Sequence, residues 1–157
     1  MTNCHIQNWL NKINSSNKLV FYNSIKHTYL PESYLTNVKN IGHRHILSKF
    51  RLSNHDLNIE RGRYTKPPTP INQRTCPLCG NSEIESEIHF LFECSFYNRV
   101  REEFNCDISN IITDFKIKDN LQKITDLFDN NHKEIQTRLG KYLSVCFQLR
   151  SDKISNN

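Results

Sequence analysis

The sequence predicts a mainly α fold, a small helical domain stapled by a CCHC zinc knuckle. Three observations lead there. Glycine and proline are scarce, four and five in 157 residues, while apolar residues recur at helical spacing along much of the chain. Only 36% of residues are hydrophobic and the mean hydropathy is −0.66, lean for a core that must hold itself together, so a bound metal would add folding free energy where it is short. Finally, Cys76, Cys79, His89 and Cys94 read C-x2-C-x9-H-x4-C, three thiolates and one imidazole, a donor set for one tetrahedral zinc ion.

The elements follow in order. Ile6, Trp9, Leu10 and Ile13 share a helix face, so residues 5–14 are expected to be helical. Leu19, Phe21 or Tyr22, Ile25 and Tyr29 carry the same pattern over 18–30, and Pro31 stops it. A single turn fits 33–38. Asn40 is placed to cap a helix from Ile41 to about Leu52, with Ile46, Leu47 and Phe50 inward and Arg44, Lys49 and Arg51 outward or to the side. Residues 57–64 alternate loosely and read as extended, with Gly62 breaking any helix. Three prolines in KPPTPINQR exclude regular structure ahead of the cysteines. In CPLCG, two thiolates can reach one ion while backbone N–H groups bond to sulfur, and Gly80 relieves a turn of positive φ.

Residues 84–93 read as a short helix. His89 and Cys94 are five apart, about 140° around an ideal helix, so both cannot face one ion from an undistorted helix. Cys94 is therefore expected at or just past the helix end, with Ser95 capping a new helix that carries Phe96, Val100 and Phe104 on one face. Helices are also expected over 119–129 and 132–150, the second weakened at Gly140 by about 1 kcal/mol. SDKISNN should fray. The chain divides into 1–38, an N-terminal helical segment; 39–75, a basic helix and Pro-rich arm; 76–107, the zinc-binding module; and 108–157, the C-terminal helices.

Charge is laid out unevenly. Residues 39–75 hold eight Lys and Arg against Asp56 and Glu60, a net +6, whereas 76–107 hold two arginines against seven acids, a net −5. Nucleic acid, RNA or DNA, is the natural partner of the basic run, with Arg44, Lys49, Arg51, Arg61, Arg63, Lys66 and Arg74 as phosphate contacts. The alternative is a solvated helix face. His43 and His45 add to a phosphate-facing patch. Tyr64, between Arg63 and Lys66, either stacks on a base or plugs the core. Glu83, Glu85, Glu87 and Glu93 are expected to cover a helix N-terminus and its solvent face. Cys106 and Cys146 suit helix interfaces and Cys4 a mobile end.

Several function classes are disfavoured. No run of 18 apolar residues exists to span a membrane, and the start lacks a leader's apolar stretch, so an intracellular protein of nucleus or cytoplasm is expected. There is no phosphate-binding loop, nucleophile elbow or H-E-x-x-H pair. All four zinc positions are protein ligands, leaving no place for a catalytic water, so neither an enzyme nor a small-molecule substrate is expected.

Arg51, Leu52, His55, Leu57, Ile59, Glu60, Gly62, Arg63 and Tyr64, followed by Cys76, Cys79, Glu87, His89, Phe90, Leu91, Cys94 and Tyr97, carry a resemblance. The two halves, in this order, resemble the C-terminal zinc-binding segment of non-LTR (LINE-type) retrotransposon reverse transcriptases over roughly residues 19–104. The resemblance implies a nucleic-acid-handling tail that engages template RNA or target DNA. The polymerase palm with its Y-x-D-D aspartates is absent, and so is an endonuclease, so the chain is not expected to polymerise DNA. A zinc-organised protein-interaction module, or a remnant fragment without selected function, is the alternative.

Overall fold

In a computed structural model, which describes residues 2–129 and 131–156, the protein is mainly helical. Met1, Asn130 and Asn157, which fall within the expected outer segments, lie outside the described residues. The α-helices are α1 (Thr2–Asn14), α2 (Val20–Ile25), α3 (Tyr34–Asn37), α4 (Ile41–Arg51), α5 (Asn58–Arg61), α6 (Asn98–Ser109), α7 (Asn120–Phe128) and α8 (Lys133–Ser155). Among the described residues no strand forms; one antiparallel bridge joins Thr75 to Ile84.

Local chemistry accounts for several boundaries. The Asn40 side chain accepts the His43 N–H at 3.0 Å and starts α4. Asp119 and Gln122 form a reciprocal capping box at the start of α7. The second helix is shorter than the 18–30 expected. Lys26 turns extended after Ile25, and its ammonium goes inward to the Leu30 carbonyl and to Glu32. Residues 58–61 are a helical turn, where an extended segment was expected. The Glu85 carboxylate accepts the Asn58 N–H at 2.7 Å and so caps α5 from 27 residues away. Gly62 has an ordinary helical φ of −63°. It is small because the stem of Arg74 lies where a Cβ would stand. Helix α8 runs on to Ser155, through residues expected to fray.

The long helix α8 is the hub, packing against α3, α4, α6 and α7. One buried core draws on all four sequence segments, from Phe21 and Ile25 to Leu139, Leu143 and Cys146. Its centre is aromatic. Phe50 stacks on Phe128 at 5.9 Å and meets Phe21 edge-on at 5.3 Å, and Phe90 lies 4.7 Å from Phe147. Phe90, one residue from His89, thereby plugs the cysteine-bearing segment directly into the helical core.

Gly140 is a point of close approach between α8 and α4. A Cβ there would sit 2.9 Å from the His43 Cβ and 3.2 Å from the His43 carbonyl oxygen. Neither is the free end of a flexible side chain. Gly140→Ala is therefore expected to destabilise by about 1–3 kcal/mol through overpacking, although helix propensity alone favours alanine by about 1 kcal/mol. A urea midpoint above the parent's would show that the helices part without cost.

Candidate metal centre

The four motif residues converge. The Sγ atoms of Cys76, Cys79 and Cys94 and the His89 Nε2 all lie within 4.8 Å of one another. A tetrahedral ion bound at about 2.3 Å to sulfur and about 2.0–2.1 Å to nitrogen sets donor separations of about 3.8 Å for S···S and about 3.5 Å for S···N. The structure has 3.8 Å between the Cys76 and Cys94 sulfurs and 3.5 Å between Cys79 Sγ and His89 Nε2. The chemistry of the donor set and these two separations are compatible with a bound metal ion. Cys76, His89 and Cys94 are buried and Cys79 is half-buried.

Each donor is placed by identifiable backbone features. Cys76 and Cys79 occupy a turn closed by Gly80, whose φ of +69° is the left-handed region. No atom lies within 4 Å of a Cβ built there, so the backbone angle, rather than crowding, calls for glycine. Backbone bonds Cys76 N–H to Glu83 O (2.7 Å) and Glu85 N–H to Arg74 O (2.9 Å) pin both ends of the loop.

His89 opens a π-helical turn, His89–Glu93, and the Cys94 N–H donates to the His89 carbonyl at 2.8 Å. The expected helix over 84–93 thus begins only at Glu87, after the Thr75–Ile84 bridge. The wider turn resolves the angular mismatch, and Cys94, just past its end, swings back to the other three donors. Ser95 does not cap the next helix. Residues Ser95–Tyr97 form a 3-10 turn without a side-chain cap, and α6 begins at Asn98.

Electrostatics favour thiolate at Cys76. The neighbouring Cys94 thiol and the backbone N–H groups of Leu78 and Cys79 hold the Cys76 thiol well below its usual range, against its burial. The same proximity and burial push Cys94 upward. A divalent cation would relieve that conflict, since it deprotonates coordinating thiols outright. The Glu93 carboxylate lies 3.8 Å from His89 Nδ1, on the far side of the ring from the donor nitrogen.

A second layer was not legible in the sequence. Arg101, buried on α6, donates through Nε to the Leu91 carbonyl at 3.0 Å and through Nη2 to the Cys94 carbonyl. Tyr142 on α8 donates to the same Leu91 oxygen at 2.9 Å. Both side chains thus meet on the Leu91 carbonyl inside the π-turn, and Arg101 shares the Cys94 carbonyl with the Tyr97 N–H of the following 3-10 turn. The sequence showed Arg101 only as a charge on an expected helix. Arg101→Met is expected to weaken metal retention by about 10- to 100-fold in a chelator competition, whereas Arg99→Met, at an exposed site on the same helix, should leave it unchanged.

The acids around the centre divide. Glu83 and Glu93 are exposed as expected, but Glu85 and Glu87 are buried, which corrects their placement on a solvent face. Glu85 pairs with Arg150. Glu87 accepts from Ser53 and lies 3.3 Å from His55 Nε2, and against its burial these contacts hold its carboxyl below the usual range. Cys146 is fully buried at a helix interface, where desolvation pushes its thiol up to about 12; Cys106 is exposed instead.

The seven basic candidates also divide. Arg51 and Arg74 are only 4% and 7% exposed. Arg51 forms a two-pronged pair with Glu32 and donates to the Phe128 carbonyl, and Arg74 donates to the carbonyls of Ile59 and Thr69. Both are committed to interior partners rather than free at the surface, which corrects the sequence reading of them as open phosphate contacts. Arg44 and Arg63 are half-buried and tied to the backbone at Leu35 and Asn17, with Arg63 also paired to Glu60. Lys49, Arg61 and Lys66 are exposed and have no ion-pair partner among the described residues.

Fold and site together define a helical chain with a closed cluster of three cysteines and one histidine, arranged to hold one metal ion. No described helix is long and apolar enough to cross a membrane. No family model, no curated protein and no solved structure matches the chain.

Proposed function

We propose that the chain is a non-catalytic, zinc-stapled module that binds nucleic acid, of the kind that forms the C-terminal tail of LINE-type reverse transcriptases. The observation that carries this reading is the spacing of the Cys76, Cys79, His89 and Cys94 donor atoms. Three thiolates and an imidazole in a tetrahedron suit zinc over harder divalent ions. Four protein ligands leave the ion no open position, so its work is structural. Zinc with three thiolates carries a charge of about −1, so the centre itself repels phosphate. Lys49, Arg61 and Lys66, on the segment before Cys76, supply the unpaired positive charge instead.

The test begins with metal analysis of protein purified in reducing buffer, where one zinc per chain is expected. Titration against RNA and DNA at two salt concentrations follows, with affinity falling steeply as salt rises. Absence of zinc defeats the staple. Binding that ignores salt, or no binding, defeats the nucleic-acid reading and favours a protein partner.

A further inference from the structure

Away from the four motif residues, the fold leaves an open cleft of about 490 Å³ between α4, the turn leading into α5, and the C-terminal end of α8. Its volume is in the usual range for ligand-binding clefts. It continues into a second hollow of about 340 Å³, with Arg61, Arg150 and Ile154 lining both. Neither hollow contains a metal donor.

The lining has three parts. Lys49 and Arg61 provide two exposed cations without ion-pair partners among the described residues. Asp56 is the one carboxylate among the lining residues, and Arg150 is already neutralised by Glu85. Ile46, Phe147 and Ile154 give the cleft an apolar component. Tyr64 also lines it and is 67% exposed, with the Lys18 ammonium 5.8 Å from its ring centre. At that exposure the ring does not plug the core, one of the two roles expected for Tyr64 from the sequence.

We infer that this cleft seats single-stranded nucleic acid, with Lys49 and Arg61 against phosphates and Tyr64 stacked on a base. The inference rests on the nucleic-acid reading above and names its surface and strand state. Cationic grooves with exposed aromatic rings hold unpaired bases by stacking, because every base has a face to offer. Duplex readout asks for the opposite shape, a helix or ribbon that projects into a groove. Here the free cations border a concavity, and bases locked in a duplex cannot reach Tyr64.

The test uses the full chain loaded with zinc. Labelled oligouridine, oligothymidine and a duplex of matched length are titrated by fluorescence anisotropy at low and high salt. The parent should prefer both single strands to the duplex. Lys49→Ala and Arg61→Ala should each weaken single-strand binding and flatten its salt dependence by about 0.7 in log–log slope. Tyr64→Ala should weaken it roughly fivefold to a hundredfold and leave residual duplex binding unchanged, while Tyr64→Phe keeps the parent affinity. Lys133→Ala, at an exposed position on α8 outside the cleft, is the control. Circular dichroism and zinc content establish that each variant is folded. Salt-dependent binding that survives all three cleft substitutions, or that favours duplex, overturns the cleft while the broader reading stands. A parent that binds none of the three probes removes both.

Discussion

Replacing Cys94 by serine is expected to unfold much of the chain at room temperature, whereas Cys4→Ser and Cys106→Ser, at exposed thiols, should shift stability by no more than about 0.5 kcal/mol. Structural zinc sites contribute about 10–16 kcal/mol of apparent binding free energy in small finger peptides, as large as the whole stability of a typical domain, about 5–15 kcal/mol. In this chain the segment that carries His89 and Cys94 is part of the core. Phe90 and Leu91, between His89 and Cys94, are fully buried, and Tyr97 follows close behind. Losing the Cys94 ligand would release the turn that seats those rings. Chelation should act like the substitution, with loss of helical circular dichroism in the parent and little further change in Cys94→Ser. Acid acts in the same direction. Bound metal needs thiolates and neutral imidazole, so the apo and unfolded chain takes up protons that the metal-bound fold excludes, and stability rises with pH across that range. A Cys94→Ser variant with the parent's melting curve would mean that nothing binds between these four side chains.

How much of this could be read in the sequence depends on how local the cause is. The Asn40 cap and the Cys76–Cys79 turn are set by near neighbours, and both were visible. The spacing of His89 and Cys94 even required that the helix between them yield, which it does through a π-turn ending at Cys94. What failed was set at a distance. Residues 58–61 looked extended because their cap, Glu85, arrives from another part of the chain. Arg51 and Arg74 looked like surface charge because a sequence displays a guanidinium but not the Glu32 carboxylate or the carbonyls of Phe128, Ile59 and Thr69 that await it. Gly140 looked like a weak point of a helix and is a contact point between two helices. For the cysteine–histidine cluster the four residues were legible and their supports were not. Arg101 and Tyr142 act on a carbonyl, a group every residue has, so no sequence pattern marks their target.

The buried pair of Glu85 and Arg150 is the second place where a single substitution should be severe, and here changing both partners should cost less than changing one. Arg150 Nε and Nη2 donate to the two Glu85 oxygens at 2.7 and 2.8 Å, with the side chains 5% and 1% exposed. Glu85 is also a junction. Its carboxylate caps α5 at Asn58, its carbonyl accepts the Ile59 N–H, and its own N–H closes the metal-site loop on Arg74. Through this residue the loop carrying Cys76 and Cys79, α5 and the end of α8 are held together. Glu85→Gln or Arg150→Met alone strands one charge in the interior, for which about 3–5 kcal/mol is expected. The double variant strands none, and replacing buried ion pairs with neutral groups of similar volume is often close to neutral. Urea denaturation of the four proteins as a double-mutant cycle should therefore give a coupling of several kcal/mol, with the double variant above both singles. Glu85→Gln should also make the metal easier to chelate, since it loosens the loop carrying Cys76 and Cys79. Additive losses in the cycle would mean that the pair does not act as a unit, and that the loop is held by its backbone bonds alone.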